Sequence, residues 1–181
     1  PVFKDTVLAP LFEGAKANFV DAFRRIDRAH CVMLFETGIL TAEQARNIAR
    51  ALADIEQTLD LKAATYTGEV EDLFFLIEHA LKERLVADTA GRLHTGRSRN
   101  DIDHTIFKIV LKQRIDLALC QMRHLLDTLI AKADAESGTI IVAYTHGQPA
   151  QPTTFGHYLA AYIEVLLGDI DRLVAAREIV D

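Results

Sequence analysis

An all-α fold built from long helices is what this 181-residue sequence predicts, on three observations. All four prolines lie towards the ends, at positions 1, 10, 149 and 152, so the strongest helix breaker is missing from Leu11 to Gln148. Apolar residues recur at helical spacing through most of that interval. From Asp101 to about Ser137 the chain also runs without any Gly or Pro.

Each element follows from its own pattern. Phe19, Phe23, Ile26, Ala29 and Met33 predict a helix over about 15–37, ended by Gly38. Thr41 and Gln44 have the spacing of a capping box, and Ile48, Leu52, Ile55 and Leu59 carry the next apolar stripe. "TYTGEVED" reads as a loop, followed by a shorter helix over about 70–85 and then by the loop "GRLHTGRSRND", Gly91–Asp101. Asn100 is a good N-cap for the long run that follows, in which Ile102, Ile106, Ile109, Val110, Ile115, Leu119, Leu126, Leu129 and Ile130 hold a helical register. Gly138 stops it. "TIIVAY" is β-branched and extended, "THGQPAQP" is a proline-bounded loop, and from Thr153 Leu159, Ile163, Leu166, Ile170 and Leu173 stripe a last helix. That stripe is still running at Asp181. The sequence contains no internal repeat and no low-complexity segment.

Composition bounds the function classes. Half the residues are hydrophobic and a quarter charged, which suits a globular chain. A formal net charge of −6 argues against a general nucleic-acid binder. No apolar run approaches the roughly 18–20 residues of a membrane span, and no charged-then-apolar leader opens the chain, so a cytoplasmic protein without membrane contact is expected. Cys31 and Cys120 lie far apart with no metal-type spacing, which predicts two buried thiols in a reducing compartment. No metal site and no cofactor is expected.

Two polar loops hold nearly all the unusual chemistry. In the first, Arg92, Arg97 and Arg99 bring fixed charge and bidentate donors suited to carboxylate or phosphate. Thr95, Ser98 and Asn100 add neutral donors, and the N-terminus of the long helix adds free N–H groups and partial positive charge. That is an anion site, or else a solvated cap whose arginines pair with surface acids. It is no nucleotide P-loop, because the glycine spacing differs and no lysine follows Gly96. In the second, "YTHGQPAQPTTFGH", His146 is the acid–base candidate, with Thr145 and Gln148 placed to orient it or a substrate. His30, His79, His104, His124 and His157 lie on predicted helices without a paired acid and are expected to serve packing or the surface.

Length adds a constraint. A helix over 101–137 spans about 55 Å, and the extended return to His146 recovers at most about 30 Å. Asn100 and His146 of one chain are then expected on the order of 25 Å apart, so a site using both loops draws them from different subunits of a homo-oligomer.

The same two loops carry a resemblance. "AGRLHTGRSRND" resembles the "GKLHTGRSRND" block of argininosuccinate lyases, and "YTHGQPAQPTTFGHYLAAY" their "YTHLQ-AQP-TFGH-L-AY" block. "EDLFFLIEHAL" is a weaker echo of "EDIH--VE--L". The resemblance covers most of the chain and implies the fumarase/aspartase superfamily: all-α tetramers, with active sites shared between subunits. For this chain it implies a small N-terminal helical domain over 1–100 and the start of a long-helix bundle over 101–181. The implied reaction is cofactor-free elimination of argininosuccinate to arginine and fumarate. By resemblance Ser98, Arg99 and Asn100 hold the substrate's carboxylates, with His94 and Thr95 beside them. Thr145 and His146 come from a neighbouring subunit, His146 assisting proton transfer at the leaving nitrogen and Gln148 supporting the loop.

Departures from the family pattern also carry implications. The base-bearing "GSSxMPxKxN" block is absent, so the chain is expected to be an N-terminal portion that is inactive by itself. "FNxSIxxD" is not recognisable in "LFEGAKANFVD", and Phe74 stands where "EDIH" has histidine. Both changes fall at the amine end of the substrate, while the fumarate end is intact. A related carbon–nitrogen lyase acting on another N-substituted aspartate, or a crystallin-like structural use of the scaffold, are the alternatives.

Overall fold

The computed structural model describes residues 2–180, which pack as two units, 2–110 and 111–180. The first unit opens with a π-helical turn, Lys4–Leu8, followed by α1 (Ala9–Asn18), α2 (Val20–Glu36), α3 (Ala42–Thr58), α4 (Leu73–Arg84) and α5 (Ala87–Arg92). It ends in the first turns of α6 (Arg99–Ala135), a 37-residue helix that continues into the second unit. The second unit adds β1 (Ile140–Thr145), β2 (Gln148–Thr154) and α7 (Phe155–Ile179). Among the described residues the fold is all-α apart from this one hairpin.

The core of the first unit gathers one stripe from each helix. Phe12, Leu34, Ile48, Leu73, Leu81 and Ile106 are all less than 2 % exposed, and each such side chain contributes about 1.5–3 kcal/mol by leaving water. In α2 the buried positions Phe23, Asp27, Cys31 and Leu34 fall at spacings of four and three, a single inward face. The segment expected over about 15–37 is two helices, because the chain bends at Phe19, whose φ is −116°. α3 begins as its sequence indicates: Gln44 N–H donates to Thr41 Oγ1 at 3.2 Å, and Thr41 N–H donates to Gln44 Oε1 at 2.9 Å.

Other helix starts also depart from expectation. α4 begins at Leu73 rather than near Val70, because Asp72 accepts the Phe75 N–H at 3.1 Å and is the cap. α5 has no counterpart in the sequence reading; Gly91, a poor helix former, sits inside it. α6 begins at Arg99, not Asp101, and ends at Ala135, not Ser137. Its cap is Ser98 rather than Asn100: the Ser98 carbonyl accepts the Ile102 N–H at 3.3 Å and its side chain bonds Asp101.

In the second unit the stretch expected as a proline-bounded loop is a β-turn and a strand. β1 and β2 pair antiparallel, Ile140 opposite Thr154 and Thr145 opposite Gln148, with a register irregularity between Ala143 and Tyr144. A two-stranded ribbon leaves each strand one free edge, so Pro149 and Pro152 can sit in β2 with no inner ladder to break. Thr154 caps α7 by accepting the His157 N–H at 3.1 Å, two residues later than the expected helix start. α7 then runs antiparallel to the second half of α6. Gly156 N–H donates to the Glu136 carbonyl at 2.9 Å at one end, and Arg177 Nη2 donates to Asp116 Oδ2 at 3.2 Å at the other. A Cβ on Gly156 would stand 2.5 Å from the Ala133 carbonyl oxygen, so only glycine permits this approach. Leu117, Leu125 and Ile130 of α6 and Tyr162, Val165 and Leu167 of α7 are exposed.

Candidate active site

The arginines of the first loop do not form a free positive patch. Arg92 Nε donates to Asp88 Oδ2 at 2.8 Å. Arg97 Nη2 donates to Asp27 Oδ1 at 2.6 Å, with the two side chains only 5 % and 8 % exposed. Arg99 binds Glu71 at 3.2 Å, pairs with Asp72 and lies 5.2 Å from the centre of the Phe75 ring. Of the two readings of this loop's charge, pairing with acids is what the structure has, and one of the three pairs is buried rather than at the surface.

Neutral donors remain open. Thr95 and Asn100 are exposed, and Asn100 lies in the first turn of α6, where the helix N-terminus adds partial positive charge. Ser98 is occupied by a reciprocal cap. Its N–H and Oγ–H donate to Asp101 Oδ2 at 2.7 and 3.0 Å, and Asp101 N–H returns to Ser98 Oγ at 3.4 Å. Those two donations, the backbone one first, hold the Asp101 carboxyl below its ordinary range.

His94 and His30 flank the loop. Arg97 Nη2 lies 3.1 Å from His94 Nδ1; arginine has no acceptor, so Nδ1 accepts and the His94 proton sits on Nε2. Burial first, and then the Arg97 charge, push the His94 pKa below its ordinary value. Phe74 meets the His94 ring edge-on at 5.0 Å. His30 Nε2 lies 3.0 Å from the Thr95 carbonyl oxygen and must therefore be the donor. His30, expected as a packing or surface residue, instead anchors the loop, and its pKa too is lowered, chiefly by burial. His79, expected without a paired acid, lies 3.7 Å from Glu83 on its own helix.

Beside this loop, in the same unit, a cavity of about 340 Å³ that opens to solvent has Arg99, Asp103, Glu71 and Asp72 on its wall with Phe19, Phe23 and Phe107. Burial pushes the Asp103 carboxyl above its ordinary range against the pull of Arg99.

Thr145, His146 and Gln148 belong to the second unit. His146 and Gly147 form the two-residue turn of the hairpin with φ of 50° and 75°, both left-handed, the pattern of a type I′ turn. His146 is the one non-glycine with positive φ among the described residues, and sparsely populated backbone of this kind clusters at functional sites. Its Nδ1 lies 3.0 Å from Thr145 Oγ1, and both side chains are exposed, as is Gln148. The structure thus gathers His94, Thr95, Ser98, Arg99 and Asn100 in one unit and Thr145, His146 and Gln148 at one turn of the other.

Asp27 is a site residue that sequence reasoning missed. It sits 70 residues from Arg97, and the only signal was an acid at a position of α2 in register with Phe23 and Cys31. Glu71 and Asp72 were visible only as the "ED" of a resembling block. Among the described residues no group of three or more His, Cys, Asp and Glu is arranged to hold a metal ion, and no helix is long and apolar enough to cross a membrane.

Helix architecture and paired polar loops define a class. Residues 19–181 match the family described as Lyase, and the chain belongs to that family, with the fumarase/aspartase type of all-α fold. Among individual proteins it is 65 % identical over all 181 residues to argininosuccinate lyase 2 of Agrobacterium fabrum. It is 40 % identical over 149 residues to argininosuccinate lyase of Nitrosococcus oceani. The chain spans 36 % and 32 % of those two relatives, about a third of their length. A solved structure of an EDDS lyase variant with bound fumarate matches with a TM-score of 0.79 at 31 % identity, covering 99 % of this chain and 35 % of that one. A β-carboxy-cis,cis-muconate cycloisomerase from Acinetobacter calcoaceticus shares the fold, with a TM-score of 0.76 at 22 % identity over 94 % of this chain and 42 % of that one.

Proposed function

We propose that the whole protein is an argininosuccinate lyase, cleaving argininosuccinate to arginine and fumarate as one step of arginine biosynthesis. The observation that carries the reading is the 65 % identity to argininosuccinate lyase 2 along the entire chain, both polar loops included. In the reaction a base takes the proton β to the departing nitrogen, and the electron pair left on carbon delocalises onto the adjacent carboxylate. The carbon–nitrogen bond then breaks, and the nitrogen gains a proton as it leaves. Donors aimed at that carboxylate lower the barrier because they bind the charge-rich transition state more tightly than the substrate.

Asn100, Thr95 and the N-terminus of α6 are the uncharged donors this chain offers without breaking an existing bond. Ser98 can contribute only by sharing its hydroxyl with Asp101, and Arg99 through the N–H groups that Glu71 and Asp72 leave unused, with its charge already offset by those acids. His94 stands behind this group, with its proton on a buried Nε2. His146, oriented through Nδ1 by Thr145, transfers the proton at the leaving nitrogen, and Gln148 closes the base of the turn beside it. Because α6 runs unbroken from Arg99 to Ala135, a site using both loops takes them from different subunits. The reading therefore includes a homo-oligomer, a tetramer in the cytoplasm, in which 1–100 acts as a small helical domain and 101–181 begins the bundle.

A second reading, elimination from a different N-substituted aspartate, is favoured by Phe74, which replaces a histidine at the amine end, and by the 31 % identity to EDDS lyase. Fumarate release from argininosuccinate and from a panel of N-substituted aspartates, followed by ultraviolet absorbance with the intact protein, decides between them. Preference for argininosuccinate supports the first reading, preference for another aspartate the second, and no release from any of them removes both.

A further inference from the structure

Helix α2 reaches the His94–Ser98 loop at two points one helical turn apart. Asp27 takes the guanidinium of Arg97, and His30 Nε2–H donates to the Thr95 carbonyl. Arg97 Nη2 has two hydrogens, and both are placed: one on Asp27 Oδ1 at 2.6 Å, the other on His94 Nδ1 at 3.1 Å. Arg97 Nε and Nη1 and His94 Nε2 are buried and have no protein partner.

We propose that Asp27 is a positioning residue for the candidate site: through Arg97 it holds His94 as the neutral imidazole protonated on Nε2, and it fixes the loop that presents Thr95, Ser98 and Asn100. A buried ion pair is weak ground for a stabilising role, since apolar residues of similar volume often serve a fold as well or better. This pair also leaves buried N–H groups without acceptors, which adds cost. What it provides is orientation. The guanidinium is planar and its two used hydrogens point at fixed acceptors; a proton on His94 Nδ1 would set N–H against N–H, and a flip of the ring would replace the acceptor with a C–H. Phe74, edge-on to the ring, keeps it from swinging aside. Glu78 and His30 are the other charged or titratable groups near the His94 ring.

The kinetic half of the test rests on the lyase reading, whereas the spectroscopic half does not. In intact protein labelled with ¹⁵N-histidine, two-bond proton–nitrogen correlations distinguish the protonated ring nitrogen from the bare one. The native protein should show His94 Nδ1 bare and Nε2 protonated, and Asp27→Asn should release the ring into a mixture of tautomers. Fumarate release should fall in kcat on the order of 10–100-fold in Asp27→Asn, with a smaller change in KM. If Asp27→Asn does not fold, the double variant Asp27→Leu/Arg97→Met removes both charges at similar volume and should release His94 in the same way. A protonated Nδ1 in the native protein, or an unchanged spectrum in the variant, overturns the lock. A released spectrum with native turnover overturns the positioning role. If the native protein eliminates fumarate from no aspartate, the lyase reading fails while the spectrum still decides the lock.

Discussion

Thr145 Oγ1 lies 3.0 Å from His146 Nδ1 at the tip of a hairpin whose turn residue, His146 itself, has a φ of 50°. The hydroxyl contact engages Nδ1 of an exposed ring, so Nε2 is the nitrogen left for a ligand. The backbone angle is a cost accepted at a single non-glycine position among the described residues.

That geometry separates two substitutions usually treated alike. Asn tolerates left-handed φ and Ala does not, so His146→Asn should keep native stability while His146→Ala loses about 1 kcal/mol. Both should abolish most turnover. Urea denaturation measures the first effect and fumarate release the second; equal stability of the two variants would contradict the strained turn.

The close crossing of α6 and α7 predicts a steric penalty. Gly156→Ala would place Cβ 2.5 Å from a main-chain carbonyl and 2.8 Å from the Ser137 Cα, and backbone cannot step aside as a side chain can. A loss of about 1–3 kcal/mol is expected, read as a lower denaturation midpoint, whereas Gly138→Ala, with open space around it, should be much milder.

Acid should weaken the first unit through its histidines. His94 and His30 both titrate below the ordinary 6.5 when folded, because burial disfavours the charged ring. The unfolded chain therefore takes up protons first as pH falls. Their contribution to stability is complete above about pH 6.5 and is lost as pH drops through the lowered folded values. His94→Gln should flatten the fall in urea midpoint between about pH 7 and about pH 5; an identical slope in the variant would sink this account.

The cap of α6 has a titration signature. Asp101 is held below its ordinary range by the Ser98 N–H and hydroxyl, so the stability it confers is present above the unfolded value of 3.8 and lost as pH falls through the lower folded one. Ser98→Ala should raise the Asp101 pKa towards 3.8, observable by carbon NMR of the carboxyl group. An unmoved titration would show that the hydroxyl takes no part.

Phe74 should govern the amine. Phe74→His puts a polar ring against His94, and it should change the ratio of kcat/KM between argininosuccinate and an aspartate with an apolar N-substituent on the order of tenfold. Competing-substrate assays measure that ratio directly; no change would remove Phe74 from selectivity.

Much of the fold was legible because its signals are local. The Thr41–Gln44 box, the apolar stripes and the long Gly- and Pro-free run each depend on residues within a turn or two of one another. The misses are of another kind. Ser98 and Asn100 are both N-cap residues, and only Asp101, three positions after Ser98, tilts the choice towards the serine. β2 was hidden by its prolines, because their meaning depends on whether the strand has one neighbour or two. The site's charge balance was invisible because Asp27 and Arg97 stand 70 residues apart, and Arg99 meets its acids across 27 and 28. Sequence shows which groups are present in a loop; only the fold shows which of them are already occupied.

The neutralised arginines bear on how a dicarboxylate would reach this site. A protein of net charge −6 whose loop cations each hold an acid projects little long-range attraction towards a dianion. Capture then falls to short-range fit with neutral amides, hydroxyls and a helix end. Its association rate should not fall as ionic strength rises, unlike that of a site that draws its substrate in through open positive charge.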